Sequence, residues 1–396
     1  RLGSKLNPIL RLVDERGTQI AWSDGQGFLA GDARIETKLP ADGRYRVLLH
    51  DKLYRGAAPG HFRLKIGDLH YADYTLPLGV TAGQETKLQV VGDQAASETF
   101  AAVNVDSAAP TQDRLRVPVG GTITGSTPQV FVSNHAEVLE PIGDSREDFA
   151  LSAAPVAVSG RLTKAGETDR YRLPVKPGEK LRLELHSARL GAPVDGVIDV
   201  LRENGQRLAG NDDQPGSSDP RVDVTIPGNV NNIIIAVRDM LDRGGDDFVY
   251  RLAVSRLGQP DFQLTVDQPL WQLPAGQTTL VRVMAQRNGY QGPIPLILHG
   301  LPASVEIAGN EIAAGSNVAL LTLNSGDQVK AGTCVIEGRS SGDDSPIRRV
   351  ATVPATDVTT SHPELAAKIG WAITPAGPLE LAWQFNDDSA VQFGDR

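Results

Sequence analysis

The acidic residues of one part of this chain are spaced as if to hold a cation. Asn211, Asp212, Asp213 and Asp219 lie on one turn-rich stretch, and Asp239, Asp242, Asp246 and Asp247 lie on a second. Calcium takes about six to eight oxygen ligands in a flexible geometry, and two acidic loops meeting at one end of a β-sandwich would supply them. Asp212, Asp213, Asp219, Asp239, Asp242, Asp246 and Asp247 are therefore the candidate metal ligands, with calcium as the candidate cofactor. The spacing is not that of an EF-hand, which needs acids at fixed alternate positions before a glycine. The same residues also read as solvated turns, in which Asp makes Asx-turns and pairs such as Asp239 with Arg221 or Arg243. The sequence is compatible with both.

Catalytic patterns are weak by comparison. Gly338-Arg-Ser340-Ser-Gly342 matches a nucleophile elbow in letters only, because Asp343-Asp-Ser-Pro346 follows where that device needs a helix. The seven histidines are dispersed and none has the spacing of a metal-binding pair. Gly120 to Gly125 is a glycine-rich turn without the strand–helix context of phosphate binding. Cys334 sits in an apolar stretch with no adjoining base, so it reads as a buried structural thiol. Trp22, Trp271, Trp371 and Trp383 read as core residues, although Trp22 lies beside an acidic turn and an exposed ring there would suit a sugar face. No catalytic and no cofactor-binding residue is expected within the chain.

The elements that must position the acids come from a duplication. Asp51-Lys52-Leu53-Tyr54-Arg55-Gly56 echoes Asp239-Met240-Leu241-Asp242-Arg243-Gly244, an offset of 188 residues, and Arg63-Leu64 meets Arg251-Leu252 in the same register. Asp24 and Asp212 correspond, as do Asp32 and Asp219 after one dropped residue. The first copy has Gly25 for Asp213, Tyr54 for Asp242, Ala58 for Asp246 and Pro59 for Asp247, so a cation is expected in the second copy only. The chain opens inside the first copy, whose early strands are expected to be missing.

Everything around these loops reads as β-structure. Leu181, Leu183 and Leu185 alternate with Arg182, Glu184 and His186, which marks a half-buried strand. Asn204-Gly205 is a hairpin signal between Val197–Leu201 and the residues that follow. Val156 to Val175, Ile233 to Val237 and Val249 to Val254 complete the set, and no amphipathic helix of useful length is found. The phrase Gly-Gln-x-Thr, followed by alternating apolar residues, recurs from Gly83 and from Gly276, which makes the repeating unit a pair of sandwiches.

Gly160-Arg-Leu, Gly166-Glu-Thr-Asp169-Arg-Tyr171, Lys176-Pro-Gly178, Asn211-Asp-Asp213, Asp219-Pro-Arg221 and Tyr250-Arg-Leu252 together resemble the bacterial pre-peptidase C-terminal domain. Glu137-Val-Leu-Glu140 upstream adds to a likeness with copies in large secreted or surface proteins of planctomycete-type bacteria. The resemblance implies an all-β chain of tandem β-sandwich domains, jelly-roll-like and Ig-like, without catalytic function; some relatives bind calcium or matrix polymers. The expected divisions are 1–67, a truncated sandwich of this type; 68–145, Ig-like; 146–257, a complete copy; 258–353, Ig-like; and 354–396, the start of a further β domain.

Composition narrows the partners. At 396 residues the chain has room for about two to four domains. A net charge of -9, with basic residues scattered among acids, argues against nucleic acid, which needs Lys and Arg gathered on one face. No apolar run is long enough for a membrane-spanning helix in this segment. The expectation is a non-catalytic adhesion or scaffold segment of a larger secreted or cell-surface bacterial protein, placed extracellularly, engaging polysaccharide, protein, or neighbouring copies or fragments of the same protein. The alternative is an accessory region of a secreted hydrolase, such as a peptidase, whose catalytic domain lies outside this sequence.

Overall fold

A computed structural model describes residues 6–25, 27–29, 31–55, 60–92, 100–104, 114–117, 128–141, 148–341, 347–356, 359 and 365–376. The glycine-rich turn 120–125, Ala58 and Pro59, Gly342 and Trp383 fall outside these residues. The described chain is β-structure throughout apart from two 3₁₀ turns, Gly27–Leu29 and Ala188–Leu190, and it forms tandem sandwiches.

The second copy is the most complete. One five-stranded sheet runs in the order Ala136–Leu139, Val156–Arg161, Val249–Arg256, Lys180–His186, Arg221–Thr225. The other runs Phe149–Ala150, Thr168–Pro174, Asn232–Asp239, Gly196–Arg202, Arg207–Asn211. Alternation drives the packing: Leu181, Leu183 and Leu185 all point into the core, where they meet Val156, Val158, Ile198, Ile233, Ile235, Tyr250 and Leu252. Each such side chain contributes about 1.5–3 kcal/mol by leaving water. The first strand, Ala136–Leu139, pairs in parallel with Val156–Arg161, so the sheet reaches upstream of residue 146.

The first copy repeats only part of this plan. Pro8–Val13, Gln19–Ser23 and Arg46–Asp51 occupy the places of Gly196–Arg202, Arg207–Asn211 and the end of Asn232–Asp239, in the same order and all antiparallel. Residues 61–66, the counterparts of 249–254, form no strand. Arg63-Leu64 repeats Arg251-Leu252, but among the described residues no strand pairs with 61–66, and a strand exists only by pairing.

Between the copies, Ala72–Leu76, Glu85–Gly92 and Phe100–Asn104 face Gly79–Thr81, Gln129–Ser133 and Arg114–Arg116 around Val80, Leu88, Val90, Val103 and Val130. Beyond the second copy, strands from Asp261–Val266 to Ile369–Thr374 surround one core holding Phe262, Trp271, Val283, Leu321, Ile336 and Trp371. Arg348–Thr352 joins its two layers by pairing with Lys330–Arg339 and with Asp261–Val266. Ile369–Thr374 pairs with Leu270–Pro274 and Lys330–Arg339, so residues past 354 add a strand to this sandwich. Among the described residues no helix is long and apolar enough to cross a membrane.

Candidate functional site

The seven candidate acids do not gather around one point. Asp219 is buried, and its carboxylate accepts from the backbone N–H groups of Ser187, Ala188 and Arg189 at 2.9, 2.7 and 3.3 Å and from Arg189 Nε at 2.7 Å. It ties down the 3₁₀ turn Ala188–Leu190. Asp239, also buried, accepts from the N–H of Asp195, Leu241 and Arg243 at 2.8, 3.1 and 3.0 Å and from the Arg243 guanidinium at 2.9 and 3.0 Å. Burial pushes the Asp239 carboxyl up, but the Arg243 and backbone hydrogen bonds outweigh it and hold the group below the usual range. Such lone pairs, already filled by N–H donors, are not open to a cation.

The remaining acids point elsewhere. Asp212 and Asp213 are exposed on their turn, where Asn211 Nδ2 donates to the carbonyls of Asp213 and Arg221. Asp242 is exposed at φ 53°. Asp246 projects its carboxylate into solvent 3.9 Å from Arg161, and its carbonyl accepts from Tyr74 Oη at 2.8 Å. Burial, with Asp73 and Asp246 nearby, raises the Asp247 carboxyl. Among the described residues no three Asp, Glu, His or Cys groups could hold a metal ion together. The arrangement does not fit the expected calcium site, because two of its ligands are saturated and, among the described residues, no three of the acids come together.

The first copy explains what the shared acids do. Asp51 accepts from the N–H of Asn7, Leu53 and Arg55 at 2.9, 2.9 and 3.1 Å, the same three positions that feed Asp239. Those backbone donors hold its carboxyl below the usual range. Tyr54 repeats the left-handed conformation of Asp242 at φ 52°. The motif Asp-x-Leu-x-Arg is thus a turn held by its own aspartate, with or without surplus charge around it.

A second polar cluster, which sequence reading did not single out, runs through the second sandwich. Tyr171 Oη donates to Glu140 at 2.9 Å, the Tyr171 and Tyr250 hydroxyls are 2.6 Å apart, and Tyr250 Oη donates to Asp169. Both rings are fully buried. Burial, with Glu140 as a neighbouring charge, pushes the Asp169 carboxyl up to about 8. Gly160 makes room: a Cβ there would lie 2.5 Å from the Tyr250 ring and 2.7 Å from the Tyr171 hydroxyl. Gly160, Asp169, Tyr171 and Tyr250 all belong to the pattern that carries the family resemblance, and the signal for their contact was their joint presence in it.

The third cluster lies where the second sandwich meets the module before it. Arg251 is 2 % exposed on the outer face of Val249–Arg256. Its guanidinium donates to both Glu137 oxygens and, at 3.0 Å, to Ser133 Oγ, and it lies 5.1 Å from the Phe131 ring centre. The Leu78 N–H donates to Ser159 Oγ at 2.9 Å, and His135 Nε2 lies 2.8 Å from Ser255 Oγ. Burial, reinforced by Arg251, pushes His135 down to about 4; burial with Arg189 and Arg251 pushes His186 down to about 2. Tyr74, Leu78, Ala192 and Val249 form an apolar cluster beside these groups, joined by Phe28 of the first copy. A Cβ on Gly79 would meet Glu137 at 2.5 Å and Arg251 at 2.6 Å, so this approach requires glycine.

The other candidates lack reactive geometry. Ser340 is buried and its Oγ accepts from the Ile347 N–H at 2.8 Å, closing a turn. Cys334 is buried, which pushes its thiol up to about 12. A surface depression of about 300 Å³ beside Leu270, Gln272 and Thr279 has one carboxylate, Asp267, and so no acid–base pair. Trp271 and Trp371 lie side by side in the last core, whereas Trp22 is 57 % exposed, contrary to the expectation of core packing.

No protein-family profile matches the chain, and no curated protein does. Among solved structures, the D00-D0 domain of Intimin aligns at 15 % identity and a TM-score of 0.19, covering 49 % of this chain and 96 % of that one. A chimeric titin Z1Z2-Z1Z2 tandem aligns at 12 % identity and a TM-score of 0.17, covering 53 % of this chain and 98 % of that one. Overlap at this level carries no functional argument.

Proposed function

We propose that this chain is a non-catalytic scaffold or adhesion segment of a larger secreted or cell-surface protein, in which β-sandwiches are fixed against one another so that their outer surfaces face partners in a set arrangement. The observation that carries this reading is buried Arg251, which pairs with Glu137 on the second sandwich's own sheet and reaches across to the preceding module, donating to Ser133 Oγ at 3.0 Å and lying against Phe131, with Gly79 closing over the pair. An ion pair shut away from water is a poor source of net stability, but it tolerates only one geometry because both charges must stay satisfied. A joint of this kind suits a rod that presents surfaces and serves no purpose for a freely hinged linker.

The buried Gly160, Asp169, Tyr171 and Tyr250 constellation supports assigning the second sandwich to the pre-peptidase C-terminal type, with the first copy as its partial counterpart. Polysaccharide or protein ligands would then meet exposed sheet faces and loop ends, Trp22 among them. Small-angle scattering on the whole chain tests the scaffold reading. The wild type is expected to fit one arrangement of modules, and Gly79→Val, which drives a side chain into Glu137 and Arg251, to fit a spread of arrangements with each sandwich still folded. A wild-type curve that already needs such a spread would remove it.

A further inference from the structure

Two histidines are shut into the joint between the second sandwich and the module before it. His186 ends the strand Lys180–His186, is 6 % exposed, and its ring centre lies 4.5 Å from that of Phe131 on the facing module. His135 stands where the chain passes from Gln129–Ser133 of that module into Ala136–Leu139 of the sandwich, and its Nε2 lies 2.8 Å from Ser255 Oγ. Among the described residues, the Nδ1 atom of each ring is buried without a hydrogen-bond partner. A neutral imidazole can leave a bare lone pair there. An imidazolium carries N–H on both nitrogens and would leave one buried with no acceptor.

The charges around the two rings oppose a proton as well. Arg251 is directly opposite His186 in the register of their strands, and Arg189 on the 3₁₀ turn and Arg114 on the facing module also bear on it. Arg114 donates to the Arg189 carbonyl at 3.0 Å, so these two groups meet across the joint. Arg251 is also the charge that acts on His135. The nearby carboxylates are engaged, Glu137 by Arg251 and Asp219 by Arg189. A proton on either histidine would add positive charge where three guanidinium groups already face two carboxylates. When the two faces part, water reaches both rings and the penalty disappears.

We propose that this joint is an acid-released latch, closed near neutral pH and opened when His135 and His186 take up protons. The proposal rests on the reading of the joint as a fixed one. Closed, the joint holds His135 down to about 4 and His186 down to about 2, from an ordinary value of 6.5 that both regain on opening. Because the closed values are the lowered ones, closure is fully favoured above about 6.5 and weakens as pH falls from there. Each histidine weakens closure about tenfold per pH unit below 6.5, so at about pH 5 the loss is about thirtyfold for one and close to a thousandfold for both. The segment is then rigid at neutral pH, and in a moderately acidic medium its modules part and uncover Phe131, Leu78 and Val249.

The Leu78 amide donates to Ser159 Oγ across the joint, so its hydrogen exchange, taken relative to the open-chain rate at each pH, reports opening. In the wild-type whole chain, protection at Leu78 is expected to fall by roughly several hundredfold between about pH 7.5 and about pH 5, while protection at Ile235, in the core of the second sandwich, holds. His135→Gln with His186→Phe, which cannot take up a proton at either position, is expected to lose less than about threefold, and each single variant about thirtyfold. Protection at Leu78 that does not change with pH, that falls as far in the double variant, or that falls only together with Ile235 overturns the latch. So does a wild-type loss that begins only below about pH 4.5, which belongs to carboxylates and is read without any variant. A Leu78 amide already unprotected at about pH 7.5 overturns the fixed joint and the latch with it, whereas protection that stays high down to about pH 5 overturns the latch alone.

Discussion

The two copies of the duplicated sequence share a turn and the three strands that lead into it, and differ in what packs around them. Asp51 and Asp239 receive the same three backbone hydrogen bonds, and Tyr54 and Asp242 adopt the same left-handed conformation. Yet Arg63 is exposed where Arg251 is sealed beneath a neighbouring module, and residues 61–66 are not a strand where 249–254 are. Local chemistry therefore fixes the turn, whereas strand and core depend on partners distant in sequence. The acids that looked like a metal site divide in a similar way: Asp51, Asp239 and Asp219 hold the backbone, whereas Asp212 and the acids confined to the second copy, Asp213, Asp242, Asp246 and Asp247, lie at the surface.

The largest effect that would break this comparison comes from the paired arginines. Arg251→Ala leaves the Glu137 carboxylate buried without its partner and is expected to destabilise the second sandwich and its joint by about 3–5 kcal/mol. Arg63→Ala is expected to stay within about 0.5 kcal/mol, as exposed substitutions do. Denaturation followed by module-resolved hydrogen exchange compares them, and equal losses would mean the joint is not what separates the copies.

The response to pH comes next. Asp169 titrates at about 8 in the fold against an ordinary value of 3.8, so the folded second copy holds a proton that the unfolded chain releases. Its stability is then fully present below about pH 4 and is lost as pH rises through about 8, with a slope of at most about 1.4 kcal/mol per pH unit for one proton. Asp169→Asn is expected to flatten this loss, and the first copy, with Phe62 in place of Tyr250, to show none. On the acid side the copies should weaken together. Asp51 and Asp239 are both held below the usual carboxylate range, so what they contribute is present above that range and is lost as pH falls through their lowered values.

Smaller effects sharpen the comparison. Gly160→Ala presses a methyl group against both buried tyrosines and is expected to cost about 1–3 kcal/mol, measured by urea denaturation. Asp242→Gly and Tyr54→Gly each relieve a left-handed residue and are expected to stabilise by about 1 kcal/mol or less. The gain should be smaller for Tyr54, whose ring stacks on His50 at 4.8 Å. Calcium and chelator are expected to give the same thermal midpoint, since a bound ligand would raise it by linkage.

Much of this was legible in the sequence, and what was not has a common cause. The alternation in Lys180–His186 and the Asn204-Gly205 turn announced their strands because period and turn chemistry are local. The all-β class and the internal duplication were readable for the same reason. The fate of the acids was not, because Asp219 and Asp239 look alike on paper whether they face a cation or their own backbone. Arg251 appeared as one more polar residue on an outward face, and only the approach of the module carrying Gly79 and Ser133 makes it the centre of a joint. Ile369–Thr374 reads in sequence as the start of a further β domain because its partners, Leu270–Pro274 and Lys330–Arg339, lie far back in the chain. Trp22 reads as a core residue by type, but its neighbours across the sheet are Arg11 and solvent.

The measurement that tests the central claim most directly is hydrogen exchange of the whole chain alone, comparing the amides of residues 61–66 with those of 249–254. If partner strands confer the structure, 249–254 should exchange at least about a hundredfold more slowly than 61–66, which should exchange close to the rates of an open chain. Equal protection in the two segments would contradict the account.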